Sequence, residues 1–245
     1  MKKIILITGG SRGIGAATAL LAAAEGYAVG VNYRNNRAAA DTIVATIRQN
    51  GGEAIALKAD VSNEQEVVDM FEQVEQILGP LTALVNSAGV VDRHMPLTEM
   101  TAGRIRRILD VNVLGTMLCS REAVKRMAPR RSGSIVHISS GASKSGSPFE
   151  YIDYAASKGA IDTFTIGLAK EVAKDGIRVN AVRPGFIDTE IHASGGAPDR
   201  MEKVVGMVPM GRVGQAGEIA EAILWLLSEK ASYTSGALVD VAGGR

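Results

Sequence analysis

The stretch EYIDYAASKGA, Glu150 to Ala160, holds two tyrosines and a lysine in what reads as the first turns of a helix. A tyrosine beside a lysine can exchange a proton with a substrate oxygen. Tyr154 stands four residues before Lys158, and Tyr151 seven. At ~100° per residue both rings fall within about 40° of the lysine's face, so the rise separates them. Tyr154 is about 6 Å along the axis from Lys158, and Tyr151 about 10.5 Å. Helical side chains lean toward the N-terminus, which carries Lys158 back onto Tyr154. A cation within roughly 4–6 Å favours phenolate over phenol. A free phenol near pKa ~10 is a poor acid at neutral pH, and each unit of lowering corresponds to about 1.4 kcal/mol. The pattern selects Tyr154 as the acid and Lys158 as its tuner, with Tyr151 packing at the pocket mouth. The same spacing is also that of an ordinary surface pair, so the rest of the chain must decide.

The elements that would position this pair alternate along the chain. Apolar, β-branched runs occupy Lys3–Thr8, Tyr27–Tyr33, Glu53–Ala59, Leu81–Asn86, Ser134–Ser139, Ile177–Val182 and Ala237–Val241. Helical stretches lie between them, at Ile14–Glu25, Arg37–Gln49, Glu64–Leu78, Ala102–Met127, Tyr151–Lys174 and Gly217–Leu227. Ser62 supplies an N-cap with Glu66 behind it, and Gly26, Gly51 and Gly79 fall where helices should stop. The alternation predicts an α/β fold: one Rossmann-like, doubly wound parallel sheet of about seven strands with helices on both faces, over 1–245 as a single domain. Continuous apolar strands suit burial on both faces. Ligands in such sheets bind beyond the carboxyl ends of the strands, so residues there should carry the function.

Composition excludes other classes. A chain of 245 residues with 46% hydrophobic and 22% charged residues is ordinary for a globular protein that needs no staple. The single cysteine, Cys119, rules out an intrachain disulfide and reads as a packing residue. No Cys/His cluster has metal-ligand spacing, so no metal is expected. A net charge of +1 argues against a nucleic-acid partner. The apolar run after Lys2 and Lys3 ends at Ile7, too short for a signal peptide, and no stretch reaches the ~18 apolar residues of a membrane span. The expected location is the cytoplasm.

The strand ends hold the remaining chemistry. TGGSRGIG, Thr8 to Gly15, links the first strand to a helix through Gly9, Gly13 and Gly15. Glycines permit a tight turn and close approach, and the helix N-terminus offers N–H groups to a pyrophosphate. After the second strand come Asn32, Tyr33 and Arg34, with no acid to grip ribose hydroxyls. Arg34 and Arg12 instead suit a 2′-phosphate, which favours NADP over NAD.

The chain resembles the short-chain dehydrogenase/reductase family over essentially its whole length. TGGSRGIG matches the family's Thr-Gly-x-x-x-Gly-x-Gly, adding Ser11 and Ile14 to the cofactor loop. Asp60 and Val61 are similar to its adenine-contacting pair. Asn86, Ala88 and Gly89 fit its Asn-Asn-Ala-Gly, with Ser87 in place of the second Asn. Asn112 in VNVLG, Ser140 at the end of ISS, Tyr154 and Lys158 occupy the positions of its catalytic residues. Pro184, Gly185, Ile187 and Thr189 fall in its nicotinamide-side loop. Spacing leaves Ser143 open beside Ser140, which is preferred because it follows the strand directly. Ser139, Ser145 and Ser147 read as turn formers.

The resemblance implies hydride transfer between nicotinamide and a carbonyl or secondary alcohol, with Tyr154 as acid–base and Ser140 polarising the substrate oxygen. Lys158 would also hold the nicotinamide ribose, and Asn112 would anchor a proton-relaying water. Residues 190–212 read as a lid whose Met207, Val208 and Met210 would touch substrate, and His94 is a weaker candidate for substrate contact. The expected substrate is a small ketone. 3-Oxoacyl-carrier-protein reductases and glucose-dehydrogenase-like members are similar, and Arg130 and Arg131 would then dock an acidic carrier, against which Asp175 counts. A catalytically silent NADP-binding regulator is the other class, disfavoured by the intact serine, tyrosine and lysine. The family also implies a homotetramer built on Ala102–Met127 and Tyr151–Lys174.

Overall fold

A computed structural model of the chain describes residues 2–190 and 200–245. Seven strands form one parallel sheet: β1 (Lys3–Thr8), β2 (Tyr27–Tyr33), β3 (Ala54–Lys58), β4 (Ala83–Asn86), β5 (Gly133–Ile138), β6 (Ile177–Pro184) and β9 (Leu238–Val241). Two short strands, β7 (Ile187–Asp188) and β8 (Gly214–Gln215), pair separately. The order across the main sheet is β3-β2-β1-β4-β5-β6-β9. The winding therefore reverses between β1 and β4, and the loops leaving their carboxyl ends part to open a crevice.

Strand periodicity divides the core into two layers. Ile4 and Leu6 point to one face, Ile5 and Ile7 to the other. The Ile5 face is covered by α1 (Gly13–Ala24), α2 (Arg37–Gln49) and α9 (Ala216–Leu227). The Ile4 face is covered by α3 (Glu64–Ile77), α5 (Gly115–Met127) and α7 (Ile152–Val172). Shorter helices are α4 (Ala102–Leu109), α6 (Ala142–Ser145) and α8 (Arg200–Val204). All seven residues of β2 are buried, as its unbroken apolar run requires. Cys119 is buried in the Ile4 layer, and desolvation pushes its thiol well above the ordinary range. No described helix is long and apolar enough to cross a membrane.

Local signals place most helix ends. Gly26, Gly51 and Gly79 follow α1, α2 and α3 at φ 84°, 81° and 107°, a region that favours glycine. The cap of α3 is Asn63, not Ser62: its side chain accepts from the Gln65 and Glu66 amides at 3.1 and 3.3 Å. Ser62 turns back instead to the Asp60 carboxylate. The helix expected unbroken over Ala102–Met127 contains a π turn, Asp110–Leu114, between α4 and α5. Such turns widen the helix locally and re-aim a side chain, and this one holds the fully buried Asn112.

A buried ion pair fixes the start of α7. Arg104 on α4 donates to both Asp153 oxygens, from Nε at 2.7 Å and Nη2 at 3.2 Å. Its Nη1 donates to the Arg93 carbonyl at 2.7 Å, in the segment after β4. Asp153 Oδ1 also accepts the Tyr154 amide at 2.9 Å. Both side chains are less than a tenth exposed. Arg104→Met should cost about 3–5 kcal/mol, because Asp153 is left as a buried, unpaired charge. Urea unfolding measures this, and a loss under about 1 kcal/mol would show that the pair contributes as little as an exposed one.

Candidate active site

The turn from β1 to α1 requires glycine. Gly9 and Gly13 adopt φ 62° and 51°. A Cβ on Gly9 would lie 2.9 Å from the Ala88 Cα, and one on Gly15 would lie 2.3 Å from the Gly9 carbonyl oxygen. The ends of β1 and β4 thus meet with no room for side chains. α1 starts without a side-chain cap and with no acid in its first turn. Free N–H groups and the positive end of the helix dipole suit an anionic diphosphate there. The residues present therefore fit a dinucleotide.

Several of the polar residues singled out in the sequence act beneath the cavity rather than on it. The Thr8 hydroxyl accepts from the Ser87 and Ala88 amides, each at 3.1 Å. Asn32 does both, lining the cavity while it donates to the Leu57 and Ala59 carbonyls at 3.2 and 3.1 Å and accepts from the Gly9 amide at 3.1 Å. Asn86 donates to the Ser120 hydroxyl at 3.0 Å. Asn112 accepts from the Val90 amide at 2.8 Å and donates to the Val90 carbonyl and Ser157 hydroxyl, each at 3.0 Å. Thr8, Gly15, Asn86 and Asn112 do not reach the cavity wall. They hold the loops that do.

The cavity, about 790 Å³, runs from the glycine loop to Tyr154. Ser11, Arg12, Gly13 and Ile14 line one end with Tyr33, Arg34, Asp60 and Val61. Arg34 Nε lies 2.8 Å from Asp60 Oδ2, so these two residues form one ionic unit on the wall. Ala88 and Gly89 line the middle, with Pro184, Gly185, Ile187 and Thr189 on another side. A Cβ on Gly185 would meet the Ala242 Cα at 2.8 Å, which ties this loop to the end of β9.

Ser140, Tyr154 and Lys158 converge at the cavity floor. Lys158 Nζ lies 5.6 Å from the Tyr154 ring centroid and donates to the Ile138 carbonyl at 2.7 Å. Burial pulls the Lys158 ammonium down to about 8, partly opposed by the Asp162 carboxylate. The expected lowering of Tyr154 by Lys158 is not what the structure gives. Burial raises the Tyr154 phenol above its ordinary range, and the hydrogen bond with Ser140 only partly opposes it. Desolvation of the phenolate wins, with the ammonium lying against the ring. The Ser140 Oγ accepts the Ala142 amide at 3.1 Å, whereas Ser143 Oγ donates to the Ser140 carbonyl at 2.8 Å. Ser140 therefore stands beside Tyr154, and Ser143 closes the turn behind it.

The far wall was only partly legible. Tyr151 packs edge-on against Tyr154, ring centroids 5.6 Å apart, and burial pushes it up to about 12. Arg200 on α8 makes a bidentate pair with Glu150, at 3.0 and 2.8 Å, and lies over the Tyr151 and Phe186 rings. Its Nη1 donates to His94 Nε2 at 2.8 Å, so His94 has a partner and is not a cavity-lining residue. Of the proposed lid residues Met207, Val208 and Met210, Met207 lines the cavity. Val208 is buried against Gly243, and Met210 is largely exposed. Residues 191–199 of that segment lie outside the described residues. The Glu150–Arg200 pair joins residues fifty apart, which no local pattern encodes.

Arg130 and Arg131 sit at the other end of the sheet. Arg130 bonds the Leu81 carbonyl just before β4, and Arg131 the Lys174 carbonyl just before β6. Carbonyls at strand beginnings hold them, while the cavity opens at strand ends.

Comparison with known proteins agrees with this architecture. Residues 9–245 match the family model described as Enoyl-(Acyl carrier protein) reductase. The chain is 58% identical over 245 residues to the uncharacterized oxidoreductase YgfF of Escherichia coli, covering 99% of each. It is 39% identical to a 3-oxoacyl-[acyl-carrier-protein] reductase of Synechocystis sp., over 99% of this chain and 96% of the relative. It is 36% identical to the reductase of the same name from Staphylococcus aureus, over 100% of this chain and 98% of the relative. A glycine-tight β1–β4 junction, a serine–tyrosine–lysine floor and matches of this length together place the chain in the short-chain dehydrogenase/reductase family of oxidoreductases.

Proposed function

We propose that the protein is an NADP(H)-dependent reductase of small carbonyl compounds, able to run the reverse oxidation of secondary alcohols. The observation that carries this reading is the continuity of one cavity from the glycine loop to Ser140, Tyr154 and Lys158. A nicotinamide held in the cavity would supply the hydride. Tyr154, held protonated by burial, donates its proton to the carbonyl oxygen. Ser140 donates a hydrogen bond to the same oxygen and fixes its position. Lys158 holds the nicotinamide ribose and offers a positive charge beneath the phenol. Lys158 and Asn112 both flank Gly89: a Cβ there would be 3.7 Å from Lys158 Nζ and 3.5 Å from Asn112 Oδ1.

Arg34 at the end of β2 supports the NADP preference, since a 2′-phosphate would meet a cation there and no acid on β2. The names of two relatives favour a 3-oxoacyl thioester as substrate. The position of Arg130 and Arg131 removes the carrier-docking argument and leaves the acyl group itself. The exposed apolar residues Leu114, Met117, Ile152 and Ile166, on the segments around α5 and α7, support a homotetramer.

A panel of carbonyls, from an acetoacetyl thioester through sugars to diketones, assayed with NADPH and NADH, tests the reading. Tyr154→Phe should lose at least a hundredfold in turnover, roughly what a general acid contributes. Near-normal turnover would remove Tyr154 from the chemistry. Arg34→Ser should raise KM for NADPH about tenfold and leave KM for NADH within about twofold, as loss of one charge-assisted contact predicts. Equal effects on both cofactors would show that Arg34 does not read the 2′-phosphate. Light scattering should give four times the 25.7 kDa chain mass, and a monomer would overturn the assembly.

A further inference from the structure

Behind the catalytic floor, α7, β6 and β9 carry a line of alternating charges. Asp162 stands one helical turn after Lys158 on α7, so the two side chains share a face. Both residues are less than a tenth exposed. Asp162 Oδ2 accepts Arg183 Nε at 3.0 Å, on β6 just before Pro184. Arg183 Nη1 lies 3.6 Å from Asp240 Oδ1 on β9. Asp240 Oδ2 in turn accepts Lys144 Nζ at 3.1 Å, on α6. From the floor outward the signs run plus, minus, plus, minus, plus.

The other oxygen of Asp162 is informative. Among the described residues, Oδ1 is buried with no hydrogen-bond partner. An unmet carboxylate oxygen in a poorly solvated place is costly, and its potential acts strongly on buried cations around it. Besides Arg183, the cation on the same helix face is Lys158, whose Nζ, among the described residues, is held by the neutral Ile138 carbonyl. We propose that Asp162, with Arg183 as its counter-charge, is a positioning residue that sets the protonation of Lys158. This rests on reading Lys158 as part of the catalytic floor.

The neighbouring groups leave Asp162 as the charge that matters. Tyr154 is one turn back on α7 and is held neutral by burial. His137 on β5 is also near Lys158, and burial pulls it down to about 3, so it carries no charge at neutral pH. Burial pulls Lys158 toward the neutral amine, and Asp162 is the group that works against this. The sign follows directly. Without Asp162, Lys158 loses its proton at lower pH. Without Arg183, the Asp162 field is less cancelled and a repelling cation is gone, so Lys158 keeps its proton to higher pH.

Two opposed variants give the test. Lysines carry carbon-13 at Cε, and the Lys158 signal is identified by its absence in Lys158→Met. In the full-length protein, Asp162→Asn should lower the Lys158 titration midpoint by about one pH unit, the scale of a nearby opposite charge. Arg183→Met should raise it. If Arg183→Met does not fold, Asp240→Asn should lower the midpoint by less than Asp162→Asn does. Carbonyl reduction should follow: the Asp162→Asn loss of kcat at pH 7 should be recovered near pH 6, which repair of a merely structural fault would not do. Unmoved midpoints, or shifts of one sign in Asp162→Asn and Arg183→Met, overturn the proposal. The resonance titration needs no substrate, so absence of turnover would count against the reductase reading alone.

Discussion

The approach of Gly9 to Ala88 is the constraint on which the site depends. Two strand ends meet where the sheet order reverses, at a distance that excludes even one methyl group. Backbone can come so close only if its polar groups are met from below. Thr8 bonds both amides of the β4 turn, and Asn32 bonds the Gly9 amide. These hydrogen bonds are partly buried, and their loss would leave amide donors unmet at the crevice. The crevice is thus a rigid product of sheet topology, and the uncapped end of α1 opens onto it.

From that junction the side chains proposed for catalysis are placed by burial as much as by bonding. α7 is anchored at its start by Arg104 and Asp153, and its C-terminal end packs in the Ile4 layer through Ala169 and Val172. The same burial that positions Tyr154 and Lys158 moves both toward their neutral forms. An acid for reduction must hold its proton until the carbonyl arrives, and a desolvated phenol does so. Of the charges on α7, Asp162 is the one that opposes the effect of burial on Lys158.

Much of the fold was legible because it rests on local patterns. Continuous apolar runs gave the strands, and their alternation with helical stretches gave the layers. The misses share a cause. The π turn at Asn112 leaves the helical pattern of Ala102–Met127 intact, since the same residues favour either winding. Asn63 displaced Ser62 as cap because Asp60 claimed the Ser62 hydroxyl. Arg34 was read alone, whereas folding brings it onto Asp60 from the next strand end. His94 was read as a solvated loop residue or substrate contact, and Arg200 reaches it from more than a hundred residues away.

The sequence by itself determined the alternation of strands and helices, the glycine turn, and the tyrosine–lysine spacing. Each is a property of a short segment, set by backbone freedom, periodicity and helical geometry. Tertiary structure alone decided which serine stands beside Tyr154, which polar residues face the cavity and which lie beneath it. It also decided the charge states of the floor. Those depend on desolvation and on partners from other elements, such as Arg183 beside Asp162 and Arg200 beside Glu150. Neither quantity exists until the elements are packed together.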